Sequence, residues 1–204
     1  NKVLIASVPF VGSYVYKSRI LQIEPKLKKG VLVTLIMNTY NPFIDYEAVK
    51  EFIYTNSRIF QTYGGYFNII FDSVHEKIVC GISSGLIITS YNYFSKKNRL
   101  KETGVYFKYS RRTENFINSY IDRYFSDYML NTSIKNSIQL NQVFVENLYF
   151  ENEKRLAVIR VSGISHRVAV APVSFREEII GKNCISFFTP TPYGESLWYF
   201  APVG

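Results

Sequence analysis

Three apolar runs, separated by segments with helical periodicity, constrain the fold of this chain more than any other feature. The runs are KVLIASVPF (2–10), VLVTLIM (31–37) and YFNIIF (66–71). Continuous apolar strands of this kind occur in sheets that are covered on both faces. The segments between them carry apolar residues at helical spacing, so strands and helices alternate. The pattern predicts an α/β sandwich in which helices cover the sheet.

The middle of the chain indicates that this sheet is mixed rather than wholly parallel. Two short strands, EKIVCGIS (76–83) and GLIITSYN (85–92), are joined by a Ser-Ser-Gly turn and predict a β-hairpin. A further strand, GVYFKYS (104–110), precedes a helix that we expect to begin near Thr113. We therefore predict an αβα sandwich with a mixed sheet.

Two helices are expected before the hairpin. The first covers residues 15–28 and should break at Pro25, because proline lacks the backbone donor that a helix interior requires. The second covers residues 45–60, with Asp45 as its N-terminal cap and two glycines after it.

The sequence changes character after about residue 130. A polar stretch, NTSIKNSIQLN (131–141), leads into five strand-like segments punctuated by proline and glycine. We predict an α/β domain over residues 1–130 and a β-rich extension over residues 131–204. The pattern leaves open whether these strands form a subdomain of their own or extend the main sheet.

The net charge of +8 is unevenly distributed along the chain. Lysine and arginine exceed aspartate and glutamate by seven in residues 1–130, and by one in residues 131–204. This positive potential would attract polyphosphates, and it would attract anionic membrane surfaces equally well. Charge alone therefore does not choose between nucleic acid and membrane as the partner.

The cysteines and the apolar runs indicate which compartment the chain occupies and whether it binds zinc or spans a membrane. Cys80 and Cys184 both lie in apolar segments, which predicts buried thiols and a reducing compartment such as the cytoplasm. No cysteine–histidine cluster has the spacing of zinc ligands. No apolar run approaches the roughly 18 residues that a membrane span needs, so we expect no membrane-spanning segment.

A set of polar side chains stands out between residues 72 and 102. In chain order its members are His75, Lys77, Ser90, Asn92 and Glu102. On a strand, His75 and Lys77 would share one face about 7 Å apart, and Ser90 and Asn92 would repeat this geometry on the next strand. An imidazole can attack phosphorus while an ammonium and an amide hold the phosphate oxygens and a carboxylate fixes the imidazole tautomer.

Each of these residues also has an ordinary structural interpretation. A single histidine is most often exposed or hydrogen-bonded for structural reasons, a strand lysine is commonly solvated, and Ser-x-Asn is frequent in turns. The joint occurrence at expected strand ends, flanked by apolar runs, favours a site.

In this region the chain resembles the phospholipase D superfamily. That family's motif is His-x-Lys, an Asp five residues after the Lys, Ser/Thr-x-Asn, and then Glu or Asp. Here HEK, SYN and the Glu of LKETGV match it. The resemblance extends over residues 1–130 in element order, and it is closest to small single-motif nucleases and to restriction endonucleases built on the same domain.

The resemblance implies a role for each matching residue. His75 would be the nucleophile that forms a phosphohistidine, Lys77 and Asn92 would bind the phosphate oxygens, and Ser90 would support them. Glu102 would hydrogen-bond the distal imidazole nitrogen. No metal or other cofactor is implied. The family's Asp is replaced here by Ile82, which weakens the inference of activity and motivates the alternative of a catalytically inactive, nucleic-acid-binding module.

This chemistry requires a second histidine to protonate the leaving oxygen. The other histidine of the chain, His166, is followed by Arg-Val and by no second copy of the motif, so we expect it to be structural. The family's solution is a homodimer in which two copies of His75 face each other, and we predict the same here.

Basic residues after the motif are expected to contact the phosphates that flank the scissile one. They are Lys96, Lys97, Arg99, Lys101, Arg111 and Arg112. The preferred function is cleavage of DNA, or of RNA, without a metal. The alternative on the same site is a phospholipase or phosphatidyltransferase, which would need an exposed apolar rim that the sequence does not reveal.

Overall fold

A computed structural model describes residues 3–94, 101–124, 138–189 and 195–204. The first part of the chain contains β1 (Val3–Ser7), α1 (Tyr16–Lys28), β2 (Leu32–Asn38), α2 (Tyr46–Tyr63), β3 (Phe67–Asp72), β4 (Ile78–Gly81), β5 (Gly85–Thr89), β6 (Gly104–Lys108) and α3 (Arg111–Asp122). The second part contains β7 (Asn141–Glu151), β8 (Lys154–Val161), β9 (Ile164–Val170), β10 (Asn183–Thr189) and β11 (Leu197–Pro202), with 3-10 turns at Pro172–Ser174 and Glu177–Ile179.

The first six strands form one mixed sheet in the order β3-β2-β1-β4-β5-β6. Strands β1, β2 and β3 are parallel, and β4, β5 and β6 are each antiparallel to the preceding neighbour in the sheet. Since β4 runs antiparallel to β1, its first residue lies at the edge of the sheet where β1 ends. The end of β5 and the start of β6 lie at the same edge.

Helices cover both faces of this sheet, as the apolar runs predict. The buried side of α1 and α2, including Tyr16 and Phe52, packs with one face of the sheet. Ile117 and Tyr120 of α3 pack against the opposite face. The predicted αβα sandwich with a mixed sheet is thus confirmed.

The termini of the helices show where local prediction succeeds and where it fails. Asp45 caps α2 as predicted, because its carboxylate accepts a 2.8 Å hydrogen bond from the Ala48 N–H. The predicted break at Pro25 is wrong, since α1 continues to Lys28. Pro25 lies in the last turn, on the exposed side of the helix. Proline has no N–H to donate to the carbonyl four residues earlier, but at this exposed position water can donate to that carbonyl instead. Helix α3 begins at Arg111, before the expected Thr113, because Ser110 caps it.

The second part of the chain closes into a five-stranded barrel in the order β10-β11-β9-β8-β7. Within the described residues its strands pair only with one another, so they form a separate unit and do not extend the main sheet. Phe187 and Tyr199 of the barrel stack on each other and contact Phe43 beside α2. The barrel and the α1–α2 layer therefore share one hydrophobic cluster. The domain boundary at residue 130 stays a prediction.

Among the residues that the structure describes, no helix has both the length and the apolar character required to cross a membrane.

Candidate active site

The five motif residues lie beside strand ends at a single edge of the sheet, the edge at which β1, β2 and β3 terminate. His75 and Lys77 precede β4, Ser90 and Asn92 follow β5, and Glu102 precedes β6. Backbone hydrogen bonds hold these segments together: Thr89 N–H donates to the Lys77 carbonyl at 3.1 Å, and Ser90 N–H donates to the Thr103 carbonyl at 2.9 Å.

His75 and Lys77 are in contact, although neither lies within a strand as the sequence suggests. The Lys77 Nζ donates to the backbone carbonyl of His75 at 2.9 Å and lies 3.5 Å from its Nδ1. The imidazole is exposed and the lysine is half-buried. An exposed imidazole beside an ammonium can meet an incoming phosphate without rearrangement of the backbone.

Three further residues, which the motif does not include, hold the His75 segment in place. The ring of Phe10 packs edge-on against the imidazole, with centroids 5.7 Å apart. Ser7 Oγ donates to the Glu76 carbonyl at 2.8 Å, which ties the segment to the end of β1. Arg123 Nη1 lies 3.9 Å from the Glu76 carboxylate and thus brings a cation from α3 to this edge. Phe10, the last residue of the apolar run 2–10, is the one of the three that the hydrophobic pattern of the sequence could have indicated.

Ser90 and Glu102 form a direct pair across the ends of β5 and β6. The Ser90 hydroxyl donates to Glu102 Oε2, and the same oxygen of Ser90 accepts from Thr103 N–H at 3.1 Å. Because Ser90 is fixed by these bonds and by its own N–H, the Glu102 carboxylate is held at the entrance of β6.

Asn92 lies in a segment that packs against α1. Arg19 donates to Tyr91 Oη at 2.8 Å, and its guanidinium lies 4.7 Å from the centre of the Tyr93 ring. The side-chain oxygen of Asn92 is buried and has no hydrogen-bond partner among the described residues. A buried amide in this state has unused hydrogen-bonding capacity that a ligand can satisfy.

The basic residues divide into three groups. Lys96, Lys97 and Arg99 lie outside the described residues. Lys101 is exposed beside Glu102, at the site edge. Arg111 and Arg112 are exposed at the start of α3, which follows the opposite end of β6 near Gly85. The structure does not bring these last two residues to the site.

Two other residues singled out in the sequence also lie away from the site. His166 is exposed on β9 of the barrel, and its backbone pairs with Ile159. Ile82, at the position where the phospholipase D motif has Asp, follows β4 at the far end of the sheet, where its N–H donates to the Val3 carbonyl at 3.2 Å. Ile82 and His75 thus lie at opposite ends of β4.

A largely apolar cavity of about 390 Å³ opens beside Lys77. It lies between the sheet and the segment that follows β5, and Val79, Ile87 and Phe94 contribute to its walls. Thr89 lines it as well. The site thus combines a cationic group with an adjoining apolar recess, which the sequence did not indicate.

The chemistry available at this edge comes from histidine, lysine, serine, amide and carboxylate groups. Within the described ranges no group of three or more His, Cys, Asp or Glu side chains is arranged to hold a metal ion. Burial raises the pKa of the Cys80 thiol to about 12, so this thiol is not a competing nucleophile at neutral pH. His75 combines an exposed imidazole with a neighbouring cation, Lys77.

Comparison with solved structures finds proteins of similar fold. One is Nuc from Salmonella typhimurium, a phospholipase D family member, with 14% identity and a TM-score of 0.41 over 59% of this chain and 76% of that one. Another is phosphatidylserine synthase from Haemophilus influenzae Rd KW20, with 15% identity and a TM-score of 0.41 over 67% of this chain. The present chain spans 34% of that synthase.

No protein-family model matches the sequence, and no curated protein matches it.

Proposed function

We propose that this chain is a metal-independent phosphodiesterase of the nuclease type, with DNA preferred over RNA as its substrate. The observation that supports this function most strongly is the contact between His75 and Lys77 at the edge where Ser90 holds Glu102. A nucleophile, a phosphate-binding cation and a carboxylate at adjoining strand ends are the groups that the reaction requires.

The reaction proceeds in two displacements at phosphorus. First, the unprotonated imidazole nitrogen of His75 forms a bond to phosphorus while the bond to the leaving oxygen breaks, and that oxygen takes a proton from His75 of the partner subunit. Second, water attacks the phosphohistidine and gives its proton to the now neutral His75 of the partner subunit. The P–N bond breaks, and its electron pair returns to the imidazole.

Lys77 has a different partner before and after phosphate binds. Without phosphate its ammonium lies against the His75 carbonyl and Nδ1. A phosphate dianion or diester competes for this ammonium. When the imidazole proton then moves from Nε2 to Nδ1, Nδ1–H can donate to Glu102 and Nε2 carries the lone pair that attacks phosphorus. A half-turn of the Asn92 amide directs its NH₂ group to a second phosphate oxygen, which satisfies the buried amide.

The homodimer that this mechanism needs cannot form through the free edge of the sheet. Two copies joined at β6 would hold their His75 residues about five strand spacings apart, roughly 24 Å, which is too far for a shared phosphate. The loops at the edge that carries His75 are better placed to form the dimer interface, because an interface there would bring the two copies of His75 closer together.

Those loops carry unusually exposed apolar side chains. Tyr14 is 71% exposed, Tyr40 is 53% exposed and Ile44 is 61% exposed. Tyr14 also has a φ of 61°, a conformation that an aromatic residue adopts at a cost of about 1 kcal/mol or more. We infer that a second copy covers this surface, since it lies at the edge that carries His75.

The apolar cavity beside Lys77 supports a second candidate, a phospholipase or phosphatidyltransferase. An acyl chain could lie between Val79, Ile87 and Phe94 while the phosphate meets Lys77. The nuclease remains preferred because the motif from His75 to Glu102 is most similar to that of small single-motif nucleases.

Hydrolysis of bis(p-nitrophenyl) phosphate in excess EDTA tests the proposal. The wild-type chain should release nitrophenol and His75→Ala should not, whereas a lack of hydrolysis by both would support an inactive nucleic-acid-binding module. His166→Ala is the matched control and should retain activity. Single-stranded and duplex DNA, RNA and phosphatidylcholine vesicles, compared in the same buffer, then separate nuclease from lipase. Activity lost in EDTA would contradict the mechanism.

A further inference from the structure

The strand order of the barrel defines where a ligand would bind to it. Counted along the chain, its strands follow the order 1-2-3-5-4 and close back on strand 1, with β9 and β11 as the parallel pair. This is the arrangement of OB-type Greek-key barrels. Such barrels bind ligands on the outer face of strands 2 and 3, between the loops that join strands 1 to 2 and 4 to 5.

The described residues of this chain include the turn between β7 and β8, Asn152 and Glu153, and Glu195 just before β11. Lys154 Nζ lies 3.2 Å from the Glu195 carboxylate and so joins the start of β8 to the residues that enter β11. The face that they border is the outer surface of β7, β8 and β9.

This outer surface carries aromatic rings with arginines stacked on them. The Arg160 guanidinium lies 5.0 Å from the centre of the Phe144 ring, and the Arg167 guanidinium lies 5.7 Å from the centre of the Tyr149 ring. Rings and guanidinium planes that are held in this way form a surface on which planar bases can stack.

A cavity of about 240 Å³ lies beside this surface, between the turn after β7 and Glu195. Leu156 and Ala169 provide apolar lining, and Arg167, Asn152 and Glu151 provide donors and acceptors. Such a recess, mainly polar with two apolar side chains in its lining, offers hydrogen bonds to the edge of a flat heterocycle.

The charges on this face are balanced. Arg160 Nη2 lies 2.7 Å from Glu146, Arg167 contacts Glu151, and Lys154 contacts Glu195. A balanced surface lacks the excess of cations that binding to duplex phosphates needs. Guanidinium donors and carboxylate acceptors beside aromatic rings instead match the hydrogen-bonding edges of unpaired bases.

We propose that the outer face of β7, β8 and β9 binds an unpaired nucleic-acid strand through its bases. This inference rests on the proposed function and deepens it, because it assigns single-stranded segments as the substrate class. The basic first part of the chain binds the phosphates that flank the scissile bond. The barrel binds the bases by stacking and by hydrogen bonds.

The test uses the full-length His75→Ala chain, so that bound nucleic acid is not cleaved. Fluorescence anisotropy measures the affinity for a short labelled single strand and for the matching duplex over a range of salt concentrations. Adding Tyr149→Ala or Arg167→Gln should weaken binding of the single strand about tenfold, as expected for loss of base stacking, and should hardly change binding of the duplex. Tyr149→Phe should restore affinity.

Arg58→Gln is the matched control, because it also removes an exposed arginine that pairs with a glutamate, Glu24, but on the helices. Unchanged single-strand affinity in both barrel variants would overturn the inference, and so would equal losses for duplex and single strand. Binding of a neutral oligosaccharide in place of the strand would also overturn it.

A separate assay distinguishes failure of this inference from failure of the proposed function. In the chain that retains His75, Tyr149→Ala should raise the KM for a single strand, and hydrolysis of bis(p-nitrophenyl) phosphate by the wild-type chain is measured in parallel. If the small diester is not hydrolysed by the wild-type chain, the proposed function fails even where the barrel binds the strand.

Discussion

Ser90 donates its hydroxyl hydrogen bond to the carboxylate of Glu102, and this pair joins the end of β5 to the start of β6. The bond matters because it positions an anion at the same edge of the sheet as His75. Thr103 N–H holds the Ser90 oxygen at 3.1 Å from the other side. The carboxylate is therefore oriented before any substrate arrives.

Removal of this carboxylate should slow the reaction. Glu102→Gln should lower kcat at least about tenfold, because a neutral amide stabilises the imidazolium and its tautomer less well than a carboxylate does. Ser90→Ala should have a smaller effect, since Glu102 stays charged. Steady-state hydrolysis of bis(p-nitrophenyl) phosphate measures both, with Ser84→Ala in the distant hairpin turn as the control. Wild-type kcat in Glu102→Gln would exclude a role for the carboxylate.

Lys77, the cation beside His75, should contribute more to the reaction rate than Glu102 does. Lys77→Met should reduce kcat/KM about 10²–10³-fold, as expected when a charged donor to the transition-state phosphate is lost. Lys108→Met removes an equal charge at the far end of the same sheet and should leave kcat/KM within about twofold of wild type. Equal effects of the two substitutions would mean that Lys77 acts through net charge alone.

Some of this arrangement follows from the sequence and some does not. The contact between His75 and Lys77 is a local consequence of their spacing, and the apolar runs suffice for the αβα layers. The placement of β4 beside β1 is a long-range choice that no local pattern encodes, yet it is what carries the His75 segment along this edge from the end of β3 to the end of β1. Arg123 reaches Glu76 for the same reason, through the direction in which α3 returns.

The barrel illustrates a second limit of sequence analysis. Its five strands are individually recognisable, but closure depends on the parallel pairing of β9 with β11 and on a register shift between Val145 and Asn147. Neither feature has a sequence signature. The break expected at Pro25 was wrong because that residue lies in the last exposed turn of α1, where tertiary packing of the helix outweighs the proline penalty.

The cysteines provide a pH-dependent test of the core. Burial raises the pKa of the Cys80 thiol to about 12 and that of Cys184 to about 11. At pH 8 the native chain should therefore react slowly with Ellman's reagent, and both thiols should react at once in guanidinium chloride. Because the folded-state pKa values exceed the unfolded value of about 9, the thiols' contribution to stability is present below that pH and is lost as the pH rises. Rapid labelling of the native chain would contradict the packing.

The cap of α2 should be measurable in the stability of the whole chain. Asp45→Ala removes the acceptor for Ala48 N–H and for Ser13 Oγ, and it should cost about 1 kcal/mol, or a Tm lower by about 2–4 °C. Asp45→Asn retains a capping oxygen and should recover most of this loss. Thermal unfolding followed by circular dichroism compares the three chains. A Tm for Asp45→Ala equal to that of wild type would show that the cap is redundant.

Trapping the covalent intermediate examines the role of His75 most directly. The wild-type chain is mixed with a labelled oligonucleotide in EDTA, quenched with alkali, digested and examined by mass spectrometry. We expect a nucleotide adduct on the peptide that contains His75, stable in alkali and lost in acid, and absent from His75→Ala. Cleavage of the oligonucleotide without any such adduct, or an adduct on a different residue, would contradict the phosphohistidine mechanism.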